Sequence, residues 1–442
     1  MPRIRLFRRE TFTSVLRFLP TSILAVVLCA GGCSGDGEGS RGGEWEAVYD
    51  SIGDTLVVRT VSGSVWGDTA RLIPEVSIGM FDGPEEYLFG QVVSLARGPD
   101  GSIYVMDQHV PALRVYNPDG SYRATFGRQG EGPGEYKRPD GGLNVLSDGR
   151  VLLRDPANAR IQVYSSEGEP LETWRIRGNF NTSQRMIVDR RDRAHAMILL
   201  DPEADVREWT TGLVQILPDG TPGDTLEIPD TPWEAAQIVV SRENEGGGRS
   251  MSVNSVPFSP RETAVLSPEG YFIHAISTEY ALTLLKPQGP LRIEKIFTPV
   301  EVASGERAEE EAFATRNMRY TDPNWRWNGP AIPSVKPPFR SIHPGEDGTV
   351  WVQTSQPGVK REDPDYDPAD PRALPDEWGE PVAFDVFDEE GRYLGPVRTP
   401  EGFSTYPAPV FTRDWVLATV RDAYEVQTVV KFRVVVGRPD SP

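Results

Sequence analysis

Four histidines and a small set of acids and amides are the side chains here that could assemble a reaction centre. His109, His195, His274 and His343 could each offer an imidazole to a metal ion, and Glu85, Asp107, Asp155 and Asn158 could offer oxygens. A shared ion needs its donors to converge. Measured from nearby turn glycines, His109 stands eight after Gly101, His274 four after Gly270 and His343 five before Gly348. Unequal offsets place those rings at unequal depths, so no shared metal, and no cofactor, is expected. Asp107 and Asp155 do stand at equal offsets, six after Gly101 and Gly149. They are expected in one layer near a common axis with Asn158, where a structural hydrogen bond is the expected role.

The run Asp363-Pro-Asp-Tyr-Asp-Pro-Ala-Asp370 spaces carboxylates as a hard cation prefers. Pro368 stands where a calcium loop needs Gly, and Leu374 where it needs a bidentate Glu, so a solvated acidic loop is expected. No Gly-x-Ser-x-Gly elbow, Walker loop or His-Glu-x-x-His motif occurs. The aromatics Tyr136, Trp325, Trp327 and Trp378 are candidate binding anchors, because such rings carry much contact energy. The net charge of -19 argues against nucleic acid, whose phosphates need clustered Lys and Arg.

The start of the chain reads as an address. Arg3, Arg5, Arg8, Arg9 and Arg17 precede a short apolar stretch, Ser22–Ala30, and then Gly31-Gly32-Cys33. A basic region, a brief apolar core and small residues describe an export signal, expected over 1–32. Ala30-Gly31-Gly32-Cys33 resembles a bacterial lipobox, with Ala30 where Leu is usual. The resemblance implies cleavage before Cys33 and lipidation of its thiol. Residues 33–50, rich in Gly after the Cys, are expected to form a tether. Cys29 falls in the removed segment, so no disulfide is expected.

The elements that position these residues repeat. Pro99-Asp-Gly-Ser-Ile-Tyr-Val-Met-Asp107 matches Ser147-Asp-Gly-Arg-Val-Leu-Leu-Arg-Asp155 at an offset of 48. Leu113-Arg-Val-Tyr116 matches Ile161-Gln-Val-Tyr164 at the same offset, and Gly83-Pro-Glu-Glu-Tyr87 matches Gly132-Pro-Gly-Glu-Tyr136 at 49. Asp-Gly supplies the positive φ of a tight hairpin, and the β-branched and aromatic runs suit buried strands. Each unit holds about four short strands, the content of one propeller blade, which must stack with others around an axis. Weaker copies lie near 184–228, 263–297, 339–391 and 415–436. The expectation is an all-β propeller over 51–438 with six blades, or seven if 231–258 hides one. Thr55–Val61 is expected to supply the strand that closes the last blade.

Asp155-Pro-Ala-Asn-Ala-Arg-Ile-Gln-Val-Tyr164 resembles an NHL repeat, and Phe126–Tyr136 resembles the blade-linking loop of bacterial six-bladed propeller lipoproteins. That resemblance covers about 90–176 and implies a propeller in the cell envelope, with no single activity. Insertions near 301–338 and 356–381 interrupt the pattern. The first reads as a charged helix with a thin stripe of Ala308, Ala312, Phe313 and Tyr320, followed by a Trp- and Pro-rich run. The expected function is a lipid-anchored envelope module that binds a protein, peptide or glycan. A metal-dependent hydrolase or lyase in the axial channel is the alternative, and a purely structural envelope component a third.

Overall fold

The computed structural model describes residues 44–109, 111–176, 180–182, 184–201, 210–243, 247–362, 376–422 and 424–437. The export signal of 1–32, Cys33 and most of the tether, and the acidic run Asp363–Asp370, lie outside the described residues. A strand already occupies Glu46–Ile52, which moves the expected tether boundary at 50 back toward the N-terminus.

The fold is an all-β propeller of six blades. The first blade is built from Val92–Arg97, Ile103–Asp107, Ala112–Tyr116 and Tyr122–Phe126, each pairing antiparallel with the next. The second repeats it with Leu143–Val145, Val151–Asp155, Arg160–Tyr164 and Pro170–Arg175. The turn that makes both possible is the one legible in sequence. Gly101 (φ +87°) and Gly149 (φ +86°) take the left-handed conformation. The preceding aspartates, Asp100 and Asp148, each accept the amide two residues on, from Ser102 and Arg150, at 3.0 Å.

The third and fourth blades follow the same order, starting from the inner strands Ile187–Val188 and Glu262–Leu266. The fifth starts at Phe339–Pro344 and carries an inserted hairpin, Val359–Glu362 with Asp376–Gly379, between its second and third strands. Between blades the cores are aromatic and β-branched: Tyr104, Phe126 and Tyr164 interlock between the first two, and Trp351, Phe384 and Phe411 between the last two. Rings at such spacings add stabilisation beyond their buried area.

The last blade is closed from the N-terminal side, as expected, but by a different strand. Ala70–Ile78 pairs antiparallel with Gln427–Val436 and buries Ala70, Leu72 and Ile78. Thr55–Ser62 instead pairs parallel with Leu291–Lys295 on the outer edge of blade four, and Glu46–Ile52 extends that sheet. The physical reason is Pro74. It interrupts the alternation of Ala70–Ile78 and is accommodated by a shift in register between Pro74 and Val76, so the run reads poorly as a strand.

Residues 231–258 do not hide a seventh blade. Gln237–Glu243 and Arg249–Ser255 form a hairpin that packs on α1 (Ser304–Thr321), the one α-helix among the described residues. Ile238, Val240, Val256, Ala314, Met318, Trp325 and Ile332 make a separate small core there. The expected stripe of α1 is corrected: Ala308, Ala312, Phe313 and Tyr320 face solvent, and Ala314 and Met318, one turn apart, face the hairpin.

In a four-stranded antiparallel blade, the turns joining strands one to two and three to four lie at one end. Those joining two to three, and the links to the next blade, lie at the other. The Asp-Gly hairpins therefore share one face of the propeller. The hairpin of 237–255, α1 and the hairpin of blade five all emerge at the opposite face.

Candidate functional site

The inner strands enclose a cavity of about 730 Å³ along the propeller axis. Strand one of blade one contributes Val93 to Arg97, blade two Leu143 to Val145 with Asp140, and blade three Arg185 to Val188. Glu346 of blade five and Thr405 to Phe411 of blade six complete the wall. A volume of this order suits a small organic ligand or the end of a larger one.

Most charged groups on the wall are committed to partners. Arg154 is buried, grips Asp140 through two bonds of 2.8 Å and donates to the carbonyl of Gln184 at 3.0 Å. Burial pushes the Asp140 carboxyl up, and Arg154 opposes that rise. Arg190 meets Glu269 at 2.6 Å and donates to the backbone carbonyl of Glu346 at 2.7 Å. Asp189 holds Arg193 at 2.6 Å, and Asp192 accepts the Ser147 amide at 2.9 Å.

Three groups are not so committed. Among the described residues, Arg185 and the carboxylate of Glu346 make no hydrogen bond or ion pair, and Arg97 has only the face of Trp415, 4.9 Å away. Arg185 and Glu346 are accessible to water in the cavity. Enclosure by protein lowers the pKa of Arg185 and raises that of Glu346; Glu346 opposes the first shift, and Arg97 and Arg185 oppose the second. Beside them His343 donates to or accepts from Ser341 Oγ at 2.8 Å and packs against Phe384 and Phe411. Burial, and then the charge of Arg185, push its pKa down to about 4.

The residues singled out from sequence lie elsewhere. Asp107 and Asp155 are fully buried, and neither lines the cavity. Asp107 accepts the amides of Gly90, Gln91 and His109 at 2.8–3.0 Å and pairs with Arg114 at 3.3 Å. Asp155 accepts the amides of Lys137 and Arg138 and the Asn158 side chain, and lies 3.6 Å from Arg160. Each carboxylate thus pins the entry to its own blade's inner strand. Glu85 is exposed in a single 3-10 turn.

Nor do the histidines meet. His195 is buried 3.3 Å from Asp189, His274 binds Glu262 at 2.8 Å, and His109 is exposed beside Gly90. Among the described residues, no three His, Cys, Asp or Glu side chains gather where they could hold an ion.

Two of the four expected anchors are corrected to core positions. Tyr136 is fully buried, where its hydroxyl donates to the Phe126 carbonyl and accepts the Leu113 amide. Trp325 is 6% exposed and donates to the Val239 carbonyl at 2.9 Å. Both rings find apolar walls and a backbone partner, which is how such side chains bury. Trp327 and Trp378 are half-buried, on the small second core and against Gly305 of α1.

The reading from sequence missed Arg97, Arg185 and Glu346. One signal was present: at the 48-residue offset, Arg97 corresponds to Val145, so a charge replaces an apolar residue on an inner strand.

A family model described as a 6-bladed beta-propeller matches residues 81–180. Among curated proteins none matches the chain. Solved structures resemble it at low identity. A Bacteroides fragilis protein described as exported has 10% identity and a TM-score of 0.43, with 84% of this chain and 96% of that one covered. A gluconolactonase of Xanthomonas campestris has 12% identity and a TM-score of 0.37, with coverage of 82% and 97%. Virginiamycin B lyase of Staphylococcus aureus has 9% identity and a TM-score of 0.35, with coverage of 78% and 95%.

Proposed function

We propose that this protein is a lipid-anchored module of the cell envelope that binds a protein, peptide or glycan by admitting part of it to the axial cavity. Cys33 is the proposed anchor, and the Gly-rich segment after it the tether. No described helix is long and apolar enough to cross a membrane. The observation that carries the reading is the axial cavity of about 730 Å³, in which Arg97, Arg185 and Glu346 lack the partners that neighbouring charges have. Charged groups that face the cavity without a protein partner are available to pair with a ligand. No observation favours metal-dependent hydrolysis or elimination, the second expectation.

The test is capture of partners from solubilised envelope with the wild-type chain and with Gly141→Trp. Gly141 lines the cavity, and a Cβ there meets Arg185 and Val93 only at 3.7 and 3.9 Å, so the indole has room to fill the space. Capture by the wild type and its loss in Gly141→Trp is the expected result. No enrichment by the wild type, or equal capture by both, contradicts the proposal.

A further inference from the structure

The chain is acidic, with a net charge of -19, whereas the lining of its axial cavity carries as many arginines as carboxylates. Asp140, Asp189, Asp192 and Arg190 are all satisfied by neighbours. What remains uncommitted is two guanidinium groups, Arg97 and Arg185, against one carboxylate, Glu346. The charged groups left open to a ligand are therefore two cations and one anion.

We infer that the axial cavity recognises a monoanionic carboxylate on the ligand, gripped by Arg185 with Arg97 beside it. The inference rests on the binding reading above and specifies the chemistry of that same site. A planar guanidinium fork fits a carboxylate through two parallel N–H···O bonds. Arg185 is free to offer its fork, because no protein group among the described residues takes it. A monoanion is preferred over a phosphate dianion because Glu346 shares the space, and a second negative charge would face it across an enclosed cavity. Glu346 in turn can accept a hydroxyl or amide hydrogen from the same ligand.

A carboxylate of this kind can come from an acidic sugar or from a peptide. The test is isothermal titration of the full chain in detergent with matched probes. Glucuronate is compared with glucose and glucose 6-phosphate, and an N-acetylated dipeptide acid with its amide. The expected result is that at least one carboxylate probe binds about tenfold or more tightly than its neutral counterpart and than the phosphate. Which acid binds identifies the source. Arg185→Gln and Arg185→Lys should each weaken that probe about tenfold to a hundredfold, the second because an ammonium lacks the fork. Arg97→Gln should weaken it less.

Arg185 makes no internal bond, so these variants should melt with the wild type, and the melting curve checks that the comparison is fair. Equal binding of acid and neutral probes, no binding of either acid at millimolar concentration, or unchanged binding in Arg185→Gln overturns the inference. Failure here is separable from failure of the binding reading. Envelope capture that persists in Arg185→Gln but is lost in Gly141→Trp removes the carboxylate and leaves the binding module standing.

Discussion

Lys336 Nζ donates to Glu306 Oε1 at 2.5 Å with both side chains almost wholly out of water. The same ammonium reaches Glu380 at 2.8 Å and the Gln356 carbonyl at 3.0 Å. One lysine therefore ties the start of α1 to both ends of the blade-five insertion. The insertions form one joined cap on the propeller face opposite the Asp-Gly turns.

Removing that lysine should be severe. Lys336→Ala leaves Glu306 buried without a cation and Glu380 with only the half-exposed Arg340 at 3.3 Å, and breaking a buried pair from one side costs about 3–5 kcal/mol. Chemical denaturation should show a lower midpoint. The triple variant Lys336→Met, Glu306→Gln, Glu380→Gln should recover most of the loss, because it removes every orphaned charge.

Asp155 should behave as a structural carboxylate. Asp155→Ala leaves two backbone amides without an acceptor and the buried Arg160 without its carboxylate, held only by the Glu131 and Glu135 carbonyls, at a cost of about 2–5 kcal/mol. Asn158→Ala removes one donor and should cost about 1 kcal/mol. Both variants, measured below their unfolding transitions, should still capture the envelope partner. Loss of capture by folded Asp155→Ala would mean that this residue touches the ligand.

His343 should make stability fall with acid. Its pKa is about 4 when folded and near 6.5 when unfolded, so the unfolded chain binds the proton first. Stability from this group is complete above about pH 6.5, declines as pH drops toward 4 and is flat below that. The loss is at most about 3 kcal/mol, less where cavity water reaches the ring. Denaturation midpoints of the wild type and His343→Gln across this window check it, and the variant should show the shallower slope.

Blades four and five are clipped by Asp385, which accepts from Tyr280 at 2.6 Å, Tyr393 at 2.5 Å and Lys295 at 2.7 Å. Burial first, and then the Asp385 charge, push both phenols above their ordinary range. Near-ultraviolet titration of tyrosinate should find these two un-ionised until the protein unfolds in alkali. Asp385→Ala should lower the pH at which that happens.

What the sequence disclosed and what it withheld follow from the range of the signal. The Asp-Gly turns and the strands beside them are local, so Gly101 and Gly149, with Asp107 and Asp155, announced the blades and their equivalent roles. Closure is not local. Ala70–Ile78 finds its partner more than 350 residues away, and Pro74 blurs its pattern, while Thr55–Ser62 looks the better strand and serves another sheet. The face of α1 was lost because its buried side holds only Ala314 and Met318 beside an ion pair. The cavity was hidden for a third reason. Whether Arg185 or Glu346 points along the axis depends on inner strands from different blades, and only the single break at Arg97 stood out in the repeat.

Hydrogen exchange of the full chain, free and with the captured partner or the binding carboxylate probe, bears most directly on the axial cavity as the place of recognition. The account predicts slowed exchange at Val93–Arg97, Leu143–Val145 and Arg185–Val188, the strands and approaches that wall the cavity. Protection confined to α1 and the 237–255 hairpin, with those inner segments unchanged, would contradict it.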